Sequence, residues 1–333
     1  MLESDCMNAV VLEKTCNADE LSVSEVAIPD VKPDWVLVKV IGFGINRAEI
    51  VLRDYEADED YIDLPVIPGI ECVGEVIDPS NTHLKKGDKI AALMGGMGRT
   101  FDGGYAEYAL LPLKNVFKID EDVFNHLSVE EVIAIPETYF TAYGSIEGLK
   151  LKKDDTILIR GATSACGLTA MQLSNAIGAT IVATSRDEST FDKLKENGAD
   201  YTIVDNGKIE EKVKEILPEG VNKVLELIGP KTIDDSMKCL SEYGICCNTG
   251  ILGGIEYVPE FDPIKTIPNN RYLTSFFSNY PTQEIMDNLF KFIVDNEIRP
   301  EISEVFTSLE DIGKAHELME SNKAKGKIIF RLK

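Results

Sequence analysis

The apolar run Ile157-Leu158-Ile159 passes through Arg160 to Gly161, and six residues later Gly167 opens a segment with Leu168, Met171, Leu173 and Ile177 at helical spacing. Strand, tight turn and helix in that order aim the free N–H groups of a helix N-terminus over the turn, which is the chemistry of a phosphate cradle. A dinucleotide turn would usually read G-x-G-x-x-G. Here Ser164 and Ala165 hold the middle and Cys166 precedes the last glycine. Thr163 and Ser164 offer hydroxyl donors where a bare turn has backbone alone.

The next chemistry-bearing pair stands at the end of the following β-branched run, Thr180–Thr184, as Ser185-Arg186. A carboxylate there would hydrogen-bond the ribose 2′-hydroxyl of NAD, whereas an arginine accommodates the 2′-phosphate of NADP. A hydroxyl and a guanidinium suit a phosphate dianion. The pair therefore favours NADP(H) over NAD(H), with Asp187 as the competing partner for Arg186.

The elements that must position these residues alternate regularly. A polar helix at Glu188–Asn197 closes at Gly198, a strand follows at Tyr201–Val204, and a helix at Ile209–Leu217 stops before Pro218. Val221–Ile228 reads as a strand, 231–240 as a helix, and Gly244–Gly250 as the next strand and turn. Such alternation predicts βαβ units and a doubly wound parallel sheet, with the Gly161 turn at its first crossover, where that fold places a dinucleotide.

The chain before this region differs in kind. A hairpin is predicted over 8–26, a long strand over Val36–Ile45, a helix over Asn46–Asp54, and glycine-punctuated strands through Val116–Ile119. After Gly250 come a proline-marked loop, a strand at Arg271–Phe277, helices at Glu284–Asn296 and Ser308–Met319, and a final strand at Gly326–Leu332.

Composition sets outer bounds. The 333 residues suggest two domains. With 57 acidic against 34 basic residues, the net charge of −23 argues against nucleic acid and anionic membrane as partners. No apolar run approaches the roughly 20 residues of a membrane span. The acidic N-terminus has no signal-peptide pattern, so a cytoplasmic protein is expected. Seven scattered cysteines without a C-x-x-C spacing imply neither a disulfide framework nor a zinc ribbon. His83, His126 and His316 lie far apart in sequence and are read as surface or loop residues.

Several landmarks occur in a fixed order: Gly44-Ile45-Asn46-Arg47-Ala48-Glu49, Pro68-Gly69-Ile70-Glu71-Cys72-Val73-Gly74-Glu75-Val76, Lys86-Gly87-Asp88-Lys89, Gly103-Gly104-Tyr105-Ala106-Glu107-Tyr108, Thr141-Ala142-Tyr143 and Gly326-Lys327-Ile328-Ile329. Together they resemble the medium-chain dehydrogenase/reductase superfamily. The resemblance implies an α/β protein: a Rossmann doubly wound parallel sheet plus a GroES-like β-rich catalytic domain. The latter would span 1–125, rejoined by 300–333, with the Rossmann domain at 126–299 and the active site in the cleft between them. A homodimer is also implied, with the strand at Arg271–Phe277 as a candidate edge.

The zinc branch of this superfamily carries a ligand cysteine where this chain has Asn46, a His-Glu pair where it has Ile70-Glu71, and a third ligand near Glu137. An isoleucine cannot ligate, and a catalytic zinc wants three His, Cys or carboxylate ligands. The chain therefore resembles the zinc-free, zeta-crystallin-like quinone oxidoreductases and enone reductases, and no metal is expected. That branch implies hydride transfer from NADPH to a quinone or a conjugated enone or enal, with neutral donors stabilising the oxygen that gains charge. Asn46 is the first candidate donor. Tyr55 and Tyr61, in the loop after its helix, could donate a proton or stack on a flat acceptor, and Arg53 is read as a surface charge or a substrate contact.

Cofactor contacts implied by the resemblance are Thr141 on the nicotinamide side; Ser164, Ala165, Cys166 and Gly167 at the pyrophosphate; Ser185 and Arg186 at the 2′-phosphate; Gly250 and Ile251 at the ribose and nicotinamide; and Phe276, Phe277 and Ser278 in the nicotinamide pocket. One departure points the other way: many relatives carry a tyrosine after the third strand, where this chain has Asp205. A non-catalytic NADP(H)-binding sensor or interaction protein is the alternative reading, and a zinc-type alcohol dehydrogenase a third.

Overall fold

The computed structural model describes residues 5–332. Two compact units divide them: residues up to Glu137 together with those from Asn279 onward, and Thr138–Ser278.

The Thr138–Ser278 unit holds a six-stranded parallel sheet. Its strands lie in the order Tyr201–Val204, Thr180–Ser185, Thr156–Arg160, Val221–Glu226, Leu240–Asn248, Tyr272–Ser275. Numbered along the chain this is 3-2-1-4-5-6, the doubly wound order. Helices cover both faces of such a sheet, so its central strands are apolar throughout, as Ile157-Leu158-Ile159 shows with every side chain buried. The order reverses between Thr156–Arg160 and Val221–Glu226, and the Gly161 turn leaves the first of these strands. The helix that follows, Ala165–Ile177, ends at Gly178 in the left-handed region (φ 89°), whose N–H closes on the Ser174 and Asn175 carbonyls.

The other unit is β-rich. A seven-stranded sheet runs Ile302–Phe306, Lys327–Arg331, Trp35–Gly44, Glu71–Asp78, Lys89–Leu93, Val116–Lys118, with Tyr108–Pro112 also paired to Trp35–Gly44. The Lys327–Arg331 strand lies antiparallel to Trp35–Gly44, setting Ile329 opposite Gly44 and Phe330 opposite Phe43. The late return of the chain is thus a strand insertion. Phe43 stacks between Tyr105 and Phe330 at centroid distances of 4.6 and 4.8 Å, tying early, middle and late segments into one core. A separate hairpin joins Cys6–Val10 to Val23–Ala27.

The unit boundaries fall at 137/138 and 278/279 rather than at 125/126 and 299/300. The difference lies in helices Glu121–His126, Val129–Ile133 and Gln283–Asp295. The Gln283 side chain bonds both the Lys118 N–H and the Lys118 carbonyl, at 2.9 and 2.8 Å. Arg299 reaches the His126 carbonyl at 2.6 Å. The Ile133 side chain packs where Gly42 leaves room. Sequence order suggested that helices after the last strand open the α/β unit, but their packing places them on the β-rich one.

Two single-residue expectations need correction. His316 is buried, on the helix Ile312–Glu320, not at a surface. Arg53 is buried too, and is neither a solvated charge nor poised for a ligand: it bonds Asp54, Glu320 and the His316 ring. An arginine can only donate, so His316 Nδ1 accepts from Arg53 (3.4 Å) and the Nε2–H faces the Tyr105 hydroxyl (3.2 Å). Burial, then the charge of Arg53, lowers the His316 pKa to about 3.

Candidate functional site

Asn46 is the N-cap of the helix Arg47–Asp54 and is buried. Three side chains fix its surroundings. Glu49 accepts from the Asn46 N–H at 2.7 Å through one oxygen and from the Ile70 N–H at 2.9 Å through the other, so one carboxylate ties the helix start to the segment carrying Glu71. Burial pushes the Glu49 carboxyl up to about 7, against the pull of those two N–H groups. Glu71 Oε1 accepts from Asn46 Nδ2 at 2.9 Å, and its Oε2 accepts from the Glu137 N–H at 2.7 Å. The Lys327 ammonium then reaches both partners: Asn46 Oδ1 at 2.5 Å and Glu71 Oε1 at 2.7 Å.

Gly44 makes this approach possible. A Cβ there would stand 2.3 Å from Lys327 Cε and 2.4 Å from Glu71 Oε1. Only a glycine leaves space for the pair. Asn46 and Glu71 stood out in the sequence, but the Lys327 side chain did not, although a lysine opening the buried strand Lys-Ile-Ile-Phe was the available signal.

These residues do not suit zinc. Ile70 offers no donor atom, Glu71 has an accepted hydrogen bond on each oxygen, and an ammonium sits among them, where a dication would be repelled. Among the described residues no group of three His, Cys, Asp or Glu side chains is arranged to hold a metal.

The tyrosines are placed differently from Asn46. Tyr55 and Tyr61 are 50% and 57% exposed. The Tyr61 hydroxyl donates to Glu56 at 3.0 Å, and partial desolvation followed by that carboxylate pushes its pKa up to about 12. Its proton is committed to Glu56 rather than poised for transfer.

In the Thr138–Ser278 unit the Gly161 turn is fully assembled. Gly161 has φ 85°, and a Cβ on Gly167 would meet the Gly161 carbonyl at 2.6 Å, so the helix packs directly on the strand end. Ser164 is the helix N-cap: its Oγ accepts from the Gly167 N–H at 3.0 Å and donates to the Gly161 carbonyl at 2.9 Å. The Ser164 hydroxyl hydrogen is therefore spent inside the turn, contrary to its reading as a phosphate donor, while Thr163 is exposed. The helix opens at Ala165 and Cys166, so its positive N-terminal end points over the turn, toward where an anion would sit. A dinucleotide phosphate fits this cradle.

Ser185 is buried at the end of its strand, with its hydroxyl accepting from the Asp187 N–H at 3.1 Å, and Arg186 is exposed beside it. Asp205 sits on the neighbouring strand end, its N–H bonded to the Ser185 carbonyl at 2.8 Å. Its carboxylate faces inward: Arg160 Nε and Nη2 approach at 2.7 and 3.0 Å. Burial would raise the Asp205 pKa, but the bonds and charge of Arg160 outweigh it and hold it below the usual carboxylate range. Asp205 is thus neutralised from within. Arg160 also bonds Asp235 (2.8 Å) and Ser236 (2.9 Å), a buried cation in an apolar strand whose role the sequence did not disclose.

Thr141 is buried on the helix Pro136–Leu149. Phe276 packs edge-on against Phe140 at 5.5 Å and fills the space opposite Gly144. Gly250 lies against the Leu227 backbone, where no side chain would fit. Ile251 and Phe277 are exposed and Ser278 half-buried.

The chain is similar to known proteins over most of its length. Residues 32–121 match the alcohol dehydrogenase GroES-like domain, and residues 165–295 match the zinc-binding dehydrogenase model; together they span more than half of the chain. Human quinone oxidoreductase is 28% identical over 317 residues, covering 93% of this chain and 92% of its own. The solved quinone oxidoreductase of Coxiella burnetii superposes with a TM-score of 0.80 at 23% identity, covering 98% of this chain and 100% of its own. A mycobacterial protein solved in complex with NADPH gives 0.82 at 22% identity, covering 98% and 99%. Among the described residues no helix is long and apolar enough to cross a membrane. On the two domain matches, the doubly wound strand order and the returning C-terminal strand, this chain belongs to the medium-chain dehydrogenase/reductase superfamily, on its quinone oxidoreductase branch.

Proposed function

We propose that this oxidoreductase uses NADPH to reduce a quinone or a conjugated enone or enal, without a catalytic metal. The observation that carries the reading is the buried Asn46 amide, held by Glu71 and Lys327, standing where the zinc branch has a ligand cysteine. When bound, the nicotinamide supplies a hydride to an electrophilic acceptor carbon.

The protein's own work is positioning and charge stabilisation. An enone that takes a hydride at its β-carbon shifts its π electrons onto oxygen. Asn46 Nδ2–H donates to that oxygen as charge develops there, and solvent delivers the proton that completes the product. A quinone accepts hydride and proton in the same overall balance. Thr141, Gly250, Ile251, Phe276, Phe277 and Ser278 are assigned to the nicotinamide and its ribose, and Ala165, Cys166 and Gly167 to the pyrophosphate, with Ser164 shaping that turn through its own hydrogen bonds rather than donating to the phosphate. Ser185 and Arg186 are assigned to the 2′-phosphate. The pairing of Asp205 with Arg160 supports this, because it removes the free carboxylate that would repel that phosphate. A homodimer through the exposed edge strand Tyr272–Ser275 completes the proposal.

The test is NADPH oxidation by purified protein across a panel of quinones, enals and enones. Turnover with at least one class is expected. Tight NADPH binding without turnover on any acceptor would favour a non-catalytic sensor, and stoichiometric zinc in the purified protein would return the alcohol dehydrogenase reading.

A further inference from the structure

We propose that Lys327 is a positioning residue of this site: its ammonium fixes the direction in which the Asn46 amide faces and thereby creates the donor. The inference rests on the reading of Asn46 as the oxyanion donor.

A carboxamide is nearly symmetric in shape, so packing alone does not decide which end is oxygen and which is NH2. Charge decides it here. Asn46 Oδ1 faces the Lys327 ammonium at 2.5 Å and Nδ2 faces the Glu71 carboxylate at 2.9 Å. The flipped amide would press NH2 against an ammonium and a carbonyl against a carboxylate, two repulsive contacts in place of two charge-assisted hydrogen bonds. In the observed orientation the oxygen is occupied and one N–H is spent on Glu71. The second Nδ2–H has no acceptor among the described residues. It is the one donor that Asn46 has left to give.

Polarisation adds to orientation. An ammonium on the amide oxygen and a low local dielectric make the remaining N–H a stronger donor than a solvated amide. Lys327 and Glu71 form a buried ion pair, 3% and 0% exposed, which Gly44 alone leaves room for. One cation from the end of the chain thus supplies, through an amide, electrostatic help that a Lewis acid would otherwise give directly.

The experiment is a double-mutant cycle with Asn46→Ala and Lys327→Met. Asn46→Ala should lower kcat on the order of 10²- to 10³-fold, the loss for one oxyanion donor. Lys327→Met should lower kcat by at least tenfold with NADPH affinity unchanged. Lys327→Arg should keep more activity than Lys327→Met. The double variant should be no slower than Asn46→Ala, because Lys327 acts only through the amide. Losses that multiply would overturn the proposal.

If Lys327→Met fails to fold with Glu71 left unpaired, Lys327→Met/Glu71→Gln removes both charges and should show the same kcat loss. If the wild-type protein turns over no acceptor, the functional reading fails on its own, and the Asn46 side-chain amide resonances in ¹⁵N NMR decide the positioning claim. They should be sharp in the wild type and shifted and broadened in Lys327→Met. Unchanged resonances would overturn it.

Discussion

Arg160 Nε lies 2.7 Å from Asp205 Oδ2, and the pair joins the ends of two strands with almost no access to water. A buried pair contributes little net stability while whole, but removing one partner strands the other charge. Asp205→Ala should therefore destabilise the protein by about 3–5 kcal/mol, with Asp235 softening the loss toward the lower end. Urea unfolding of the ligand-free protein at neutral pH measures it. A change under 1 kcal/mol would mean that Arg160 is adequately held without Asp205.

The exposed Arg186 is the partner assigned to the 2′-phosphate. Arg186→Ala should weaken NADPH binding by about 1.5–3 kcal/mol, the range for a hydrogen bond to a charged group. NADH, which lacks that phosphate, should bind almost as before. Fluorescence titration of both cofactors on both proteins checks the difference, and equal losses would remove Arg186 from the assignment.

His316 couples stability to pH. Its folded pKa is about 3 against an ordinary value of 6.5. Below pH 6.5 the unfolded chain takes up a proton that the folded one refuses, so stability falls as pH drops from 6.5 toward 3. Above pH 6.5 the residue contributes no slope. The fall should approach about 1.4 kcal/mol per pH unit from this one group. His316→Gln should flatten the dependence of urea midpoints measured at pH 7, 6 and 5, and an unchanged slope would point to other groups.

Gly44→Ala tests whether the Lys327–Glu71 pair needs its space. A methyl group 2.3 Å from Lys327 Cε must displace it, so turnover should fall together with about 1–3 kcal/mol of stability. Gly148→Ala is the control: the nearest atom to its added Cβ is 3.9 Å away, and the change in its helix should be neutral or slightly stabilising.

What the sequence disclosed follows from how local each signal is. The doubly wound sheet was legible because buried parallel strands are short apolar runs with glycines near their ends, as in Ile157–Ile159 ahead of Gly161. Asn46 and Glu71 were legible through motif resemblance. The strand Lys89–Leu93 was hidden behind the turn at Gly87, since a short run buried along most of its length shows no alternation. Ile302–Phe306 was hidden because an edge strand can be polar and half-exposed. The partners Lys327, Arg160, Arg53 and His316 were opaque for one common reason. Their roles depend on charges brought from far along the chain, and no local pattern marks a lysine whose acceptor lies 281 residues earlier.

That separation orders events during synthesis. The Thr138–Ser278 unit is one continuous stretch and can fold once its own residues have emerged, as domains generally do. The β-rich unit cannot finish, because the strand that inserts beside Trp35–Gly44 is Lys327–Arg331. Until that strand arrives, Glu71 lacks the Lys327 counter-charge and the Asn46 amide oxygen lacks its ammonium partner. A nascent chain can therefore hold a formed Thr138–Ser278 unit while the Asn46, Glu71 and Lys327 cluster still waits for its lysine.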